Sequence, residues 1–295
     1  MWDGVPLRKI LKIVRNKISI KKYAIINMPA IIHVIIVLSV LLIIVTVLAD
    51  TRNKSKKYTL GLLVCAKNES MVIDEFIKHY KWQGVEQIYL IDNGSTDDMH
   101  AKLVPYIQEG YVQYFMKPER HQQERHYNDV YNEVARSECQ WLIVCDCDEY
   151  IYNRQKGASV RDYLMNLSYD EVGMVTLNWK MFGSSGYVEQ PRDIRTSFVH
   201  RASEIHKNTK VIINTTYVNI LHIHWHDMTE EKTVIYQPPE LALNHYAIMS
   251  KEYFKNVKMT RGDASAVHSE HVRDWTYFEN YDTNDTYDGE LAELL

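Results

Sequence analysis

The stretch Trp141-Leu-Ile-Val-Cys-Asp-Cys-Asp-Glu-Tyr-Ile151 constrains this chain most. Trp141–Val144 is an apolar run too short for a helix. It reads as a strand of a parallel sheet with both faces covered. Acidic side chains have no place inside such a strand. Asp146, Asp148 and Glu149 therefore belong at its carboxyl end, where open α/β sheets bind ligands. Residues two apart share a strand face, so Asp146 and Asp148 are expected to point the same way. Two converging carboxylates make a hard oxygen site for Mg2+ or Mn2+, which takes its other ligands from water and substrate phosphates. Repulsion between them without a cation predicts that neutralising either leaves stability near wild type. The plainer alternative is a solvated acidic turn, and the rest of the chain decides between the two.

From Tyr58 onward short apolar runs alternate with helical periods. Strands are expected at Thr59–Ala66, Gln87–Asp92, Val112–Phe115 and Trp141–Cys145. Helices are expected at Ile73–Gln83, Ala101–Gln108 and Glu124–Ser137. This alternation predicts an α/β fold with helices on both faces of the sheet. A helix at Val160–Leu167 follows. Strands are then expected at Val172–Trp179, Thr196–Arg201, Lys210–Ile213 and Val218–Trp225, and a last helix at Lys251–Met259, in a mixed-sheet extension of the same domain. The first strand ends in Lys67-Asn-Glu69 and the second in Asp92-Asn-Gly-Ser95, on the same edge as Asp146 and Asp148. Amides and carboxylates there suit a nucleobase edge and a ribose diol.

The amino-terminal segment has a separate logic. Residues 30–49 are almost wholly apolar, long enough to span a bilayer core. Seven basic residues and one acid precede them, which predicts a single-pass type II span with residues 1–29 cytoplasmic. Residues 50–57 read as a linker and 58–295 as the folded domain. Which side of the membrane carries that domain is left open. The chain holds 34 basic and 38 acidic residues; without the first 22 residues, 27 basic face 37 acidic. So acidic a domain excludes nucleic acid as a natural partner. Cys65, Cys139, Cys145 and Cys147 read as reduced structural thiols. Six Asn-x-Ser/Thr sequons occur, and two of them, at Asn68 and Asn93, fall inside the strand-end motifs.

Cys65-Ala-Lys-Asn-Glu69, Ile88-Tyr-Leu-Ile-Asp-Asn-Gly-Ser-Thr-Asp-Asp98 and Asp146-Cys-Asp-Glu149 resemble the motifs of GT-A glycosyltransferases, most closely family 92 and related family 2-like proteins. Three later stretches are similar to the same group: Asn178–Gly186, Lys210 to His224, and Asn244-His-Tyr-Ala-Ile-Met-Ser250 with Lys258-Met-Thr-Arg-Gly262. The likeness runs from about residue 60 to 280. Tyr150, where the family commonly has Phe, and Cys147, often aliphatic, are mild departures. The resemblance implies a GT-A mixed sheet and transfer of a sugar from a nucleotide-sugar donor to a glycan or glycoconjugate hydroxyl. It implies a divalent cation and inversion at the anomeric carbon. Lys67, Asn68, Glu69, Asp92, Asn93, Ser95 and Asp146 are then expected on the donor. Trp179, Phe182, Gly183, Ser184, Ser185, Gly186 and His245 are expected on the acceptor.

His222-Ile-His-Trp-His226 places three imidazoles on one face of the expected strand. Aligned from Lys210, His224 is the implied metal ligand beside Asp146 and Asp148, with His222 as fallback. An independent zinc site, and hence a metal hydrolase, is the competitor, but imidazoles at i, i+2 and i+4 of a strand spread over about 13 Å. Lys258 and Arg261 share a helix face and are expected to clamp the leaving diphosphate. For catalytic carboxylates the candidates are Asp148 and Glu149, with Glu189 and Asp227 (besides Asp193 and Glu204) in the acceptor half as possible general bases. An inactive carbohydrate-binding or scaffolding descendant of the fold is the remaining alternative.

Overall fold

The computed structural model describes residues 36–39, 56–261 and 273–295. The chain divides into Met1–Ser55 and Lys56–Leu295. Of the first unit only residues 36–39 are described, and they are helical. The rest of the span expected at 30–49 lies outside the described residues. Among the described residues no helix is long and apolar enough to cross a membrane.

The described residues of the second unit form fourteen strands. In chain order they are β1 (Tyr58–Ala66), β2 (Gln87–Asp92), β3 (Val112–Met116), β4 (Cys139–Cys145), β5 (Glu149–Asn153), β6 (Val172–Asn178), β7 (Lys180–Met181) and β8 (His200–Arg201). They continue with β9 (Thr209–Asn214), β10 (Val218–Leu221), β11 (His226–Met228), β12 (Thr233–Tyr236), β13 (Leu241–His245) and β14 (Thr286–Tyr287). The central sheet has the order β12-β6-β9-β4-β1-β2-β3. β1 pairs in parallel with both β2 and β4, and β2 with β3. The chain winds outward from β1 to β3, then returns to the other side of β1. The crevice between the carboxyl ends of β1 and β4 is thus a topological switch point, the place where such sheets take ligands.

Continuous burial on both faces explains why the central strands read so clearly. Leu60, Leu62, Leu63 and Val64 of β1 and Leu142, Ile143 and Val144 of β4 are all buried. Gly61 is required by a close approach. A Cβ there would collide with Cys139 Sγ and lie 3.1 Å from Leu142 Cδ1. On the far side of β4, β9 runs antiparallel between β4 and β6. Its start and the ends of β4 and β6 therefore share one edge, which brings Lys210 beside the Asp146 turn and Trp179 close by. A second sheet, β5-β13-β7, sits over that edge, with His245 opposite both Glu149 and Met181.

Two expected strands are corrected. Within Thr196–Arg201 only His200–Arg201 is strand, and Ile194–Ser197 is a helical turn. The buried Glu75 carboxylate accepts the amides of Ile194 and Arg195 and pairs with the Arg195 guanidinium at 3.1 Å, so it caps a turn where the local pattern suggested extension. Val218–Trp225 is likewise not one strand. The Asn128 side chain accepts Leu221 N (2.8 Å) and donates to Leu221 O (2.7 Å), ending β10. The chain then turns through 222–225 into the antiparallel β11. The helix expected over Glu124–Ser137 passes through a π-helical segment at Tyr131–Ala135.

Candidate active site

At the carboxyl edge of the central sheet lies a cleft of roughly 790 Å³. Lys67 and Glu69 from the end of β1, Asp146 and Asp148 from the end of β4, Trp179 from the end of β6 and His245 from β13 all line it. Asn93, His224, Lys258 and Arg261 do so as well. Ten of the residues expected at the site from sequence, besides the fallback His222, are thus gathered in one crevice, and the others lie outside its lining.

The two aspartates do not face each other as bare charges. Lys210, 1 % exposed, donates to Asp146 Oδ2 at 2.8 Å and lies 3.4 Å from Glu149 Oε2. Asp146 Oδ1 also accepts from Gln123 Nε2 at 2.9 Å. Lys258 pairs with Asp148 Oδ2 where both side chains are almost fully buried, and His245 Nε2 lies 3.6 Å from Asp148 Oδ1. Burial works to raise both carboxyls, but Lys210 holds Asp146 below the usual range, and Lys258 with His245 holds Asp148 well below it. The repulsion between the aspartates expected from sequence is present but offset within the chain, because each aspartate has its own lysine.

Glu149 sits beneath this pair, fully buried, and does not line the cleft. Its Oε2 accepts Asp146 N at 2.8 Å, and its Oε1 has no hydrogen-bond partner among the described residues. Burial raises its carboxyl well above the usual range despite Lys210. Glu149 thus shapes the Asp146 turn, a positioning role in place of the expected catalytic one. Glu189 and Asp227 are exposed and do not line the cleft either, nor do Asp193 and Glu204. Asp227 instead meets His222 Nε2 at 3.3 Å.

Among the residues expected on the donor, Glu69 has both oxygens engaged, by Arg261 Nη2 and by Tyr253 OH, each at 2.6 Å. Arg261 also donates to Lys67 O. Glu69 therefore fixes Arg261 against the end of β1. Asp92 is buried and accepts Ser95 N (2.7 Å) and Tyr114 OH (2.6 Å). Ser95 Oγ accepts Asn68 N, and Asn68 Oδ1 accepts Thr96 N. Asp92, Ser95 and Asn68 thus tie the β1 and β2 loops together and do not line the cleft. Asn93 does line it, and donates to Lys117 O and Glu119 O.

Among the residues expected on the acceptor, Trp179 lies against the His245 ring (4.2 Å between centroids) and the His224 ring (5.3 Å). Phe182, Gly183, Ser184, Ser185 and Gly186 do not line the cleft, which corrects their expected place. The chain's own segment Asp282–Asn284 covers this loop: Ser184 N donates to Asp282 Oδ1 and Ser185 N to Asn284 Oδ1. A Cβ at Gly183 would lie 2.7 Å from Thr283 O, so its close approach is to the chain itself.

His222, His224 and His226 do not share a strand face. His226 is buried and its Nδ1 accepts His222 N, closing the β10–β11 turn, while His224 and the fallback His222 both line the cleft. Among the described residues no three His, Cys, Asp or Glu side chains are gathered closely enough to hold a metal ion by themselves. The set nevertheless fits a hard cation that keeps substrate oxygens as ligands, because Asp146, Asp148 and an imidazole line one crevice. Sequence reasoning missed Arg120, Arg273, Tyr277 and Tyr281, which also line it. The spacing of aromatic residues in Trp275-Thr-Tyr-Phe-Glu-Asn-Tyr281 was the available signal for the last two.

Residues 62–284 match the sequence model of glycosyltransferase family 92. A family 92 glycosyltransferase of Ricinus communis is 26 % identical over 259 residues, 81 % of this chain and 43 % of that protein. One of Arabidopsis thaliana is 24 % identical over 83 % of this chain and 44 % of that protein. The chain thus spans less than half the length of these relatives. Among solved structures, S. aureus TarS 1–349 in complex with UDP aligns at a TM-score of 0.37 and 14 % identity, over 53 % of this chain and 47 % of that one.

Proposed function

Given that the chain belongs to glycosyltransferase family 92, we propose that its cleft moves a sugar from a nucleoside-diphosphate donor to a glycan or glycoconjugate hydroxyl, with inversion. The observation that carries this reading is the meeting of Asp146, Asp148, Lys258 and Arg261 at the switch point of the sheet. In the reaction the acceptor oxygen forms a bond to the anomeric carbon and loses its proton to a base. The bond from that carbon to the phosphate oxygen breaks, and its electron pair leaves with the nucleoside diphosphate. Lys258 and Arg261 supply positive charge where the departing diphosphate gains negative charge. Arg261 is held for this by Glu69, and Lys258 by Asp148. Asp146, Asp148 and an imidazole, His245 or His224, would hold a Mn2+ or Mg2+ ion, which supplies further charge neutralisation when bound.

Anchoring by a single type II span at residues 30–49 belongs to the same proposal and rests on the apolar run and its basic flank alone. The test is hydrolysis of a panel of nucleotide sugars with Mn2+ present. One donor is expected to be cleaved, with loss of cleavage in Lys258→Met. A wild-type protein that cleaves none of them refutes the reading.

A further inference from the structure

The helix Trp275–Tyr281 borders the cleft. Its start is fixed by Asp274, whose side chain accepts Tyr277 N at 2.9 Å. Its inner face is fixed by the buried Phe278, packed edge-on against Phe254 at 5.1 Å. That anchoring turns Tyr277 and Tyr281, one helical turn apart, to the cleft side, where their rings stack at 4.5 Å and 26°. Tyr277 is backed in turn by Phe254, nearly parallel at 15° and 6.1 Å, and the Arg273 guanidinium lies 5.3 Å from its ring centroid. Phe254, Tyr277 and Tyr281 thus form a column of rings that starts in the core and ends at the cleft. On the β10–β11 turn, Trp225 also lines the cleft with 42 % of its surface exposed.

Rigid aromatic faces backed by the core present apolar area at little entropic cost. A pyranose offers the matching surface, an apolar face of C–H groups ringed by hydroxyls. Building on the transferase reading above, we propose that Tyr281, supported by Tyr277, is the stacking platform for the acceptor. The acceptor's reactive unit is then a pyranose of an existing oligosaccharide. Trp225 contacts a neighbouring sugar of the same chain.

The test applies the full-length protein to an array of immobilised oligosaccharides. Wild type is expected to bind at least one of them. Tyr281→Ala is expected to weaken that binding about tenfold or more, and Tyr281→Phe and Tyr281→Trp to keep it. In turnover, Tyr281→Ala is expected to raise the acceptor KM while the donor KM stays put. Trp225→Ala, a change in an exposed side chain, is a second variant that tests the site should Tyr281→Ala fail to fold. Binding by none of the array sugars, or equal binding by wild type and by whichever of these variants folds, overturns the platform. Failure of the transferase reading shows separately, as a wild type that cleaves no nucleotide sugar.

Discussion

Replacing Asp148 by Asn is expected to destabilise the protein strongly, and the reason is Lys258. The Asp148 and Lys258 side chains are 7 % and 4 % exposed and pair with each other. Asn removes the negative charge and leaves an ammonium buried beside His245 and the Tyr253 ring, 5.7 Å away. Breaking a buried pair from one side costs about 3–5 kcal/mol, because the remaining charge has no compensation. For a domain of this size that is a fall in Tm of roughly 6–20 °C. Lys258→Met is expected to cost less, since the Asp148 carboxyl can take up a proton. The double variant Asp148→Asn, Lys258→Met should recover most of the loss, because two neutral groups of similar volume replace a buried pair at little net cost. Urea unfolding of the four proteins closes a double-mutant cycle. An Asp148→Asn protein within about 1 kcal/mol of wild type refutes the argument. It would mean that Lys258 reaches solvent and that the aspartate is held in place by nothing in the chain.

Three further outcomes are expected. His79 is fully buried, and burial pushes its imidazole down to about 3; the unfolded chain takes up that proton below about pH 6.5, so stability is full above 6.5 and falls as pH drops toward 3, by about 1.4 kcal/mol per pH unit. Urea unfolding between pH 6 and 4 should show that extra slope in wild type and not in His79→Gln. Chelation with EDTA should abolish sugar transfer, and Mn2+ titrations should show a higher requirement in His245→Ala than in His224→Ala, since His245 is the imidazole in contact with Asp148; a shift confined to His224→Ala refutes that choice. Gly61→Ala should cost about 1–3 kcal/mol by thermal melting, because its Cβ meets Cys139, Leu142 and Tyr89 at once; an unchanged Tm would show that β1 and β4 can part.

The first half of the domain was legible because parallel strands buried on both faces leave unbroken apolar runs, and their polar ends fall on one edge by topology alone. β1, β2 and β4 all lie within two residues of their expected bounds. The second half was less legible because its elements are held by distant partners. β5 begins with the buried Glu149 and gains its strand character from β13, nearly a hundred residues away. The turn at Ile194 depends on Glu75, and the end of β10 on Asn128. The three histidines at 222–226 looked like one face because nothing local in the sequence announces the turn between them. Lys210 lies at the head of the apolar run Val211-Ile-Ile213, where no local pattern shows that its amine turns in to Asp146.

That inward lysine changes how the charge of the cleft is understood. Without its first 22 residues the chain carries ten more acidic than basic residues, a poor background for an anionic ligand. Within the cleft the balance is different. Asp146 is paired with Lys210, Asp148 with Lys258 and Glu69 with Arg261. Lys67, Arg120 and Arg273 add positive charge to the lining, against Glu124, which lies 3.5 Å from His222. Two of the three paired cations come from the segment after β13 and the third from the start of β9, whereas the acids come from the ends of β1 and β4. The first half of the domain thus supplies the geometry of a ligand crevice together with an excess of negative charge. The second half supplies the three cations paired with those acids, which is why neither half of the sequence, read by its own pattern, shows the charge balance of the site.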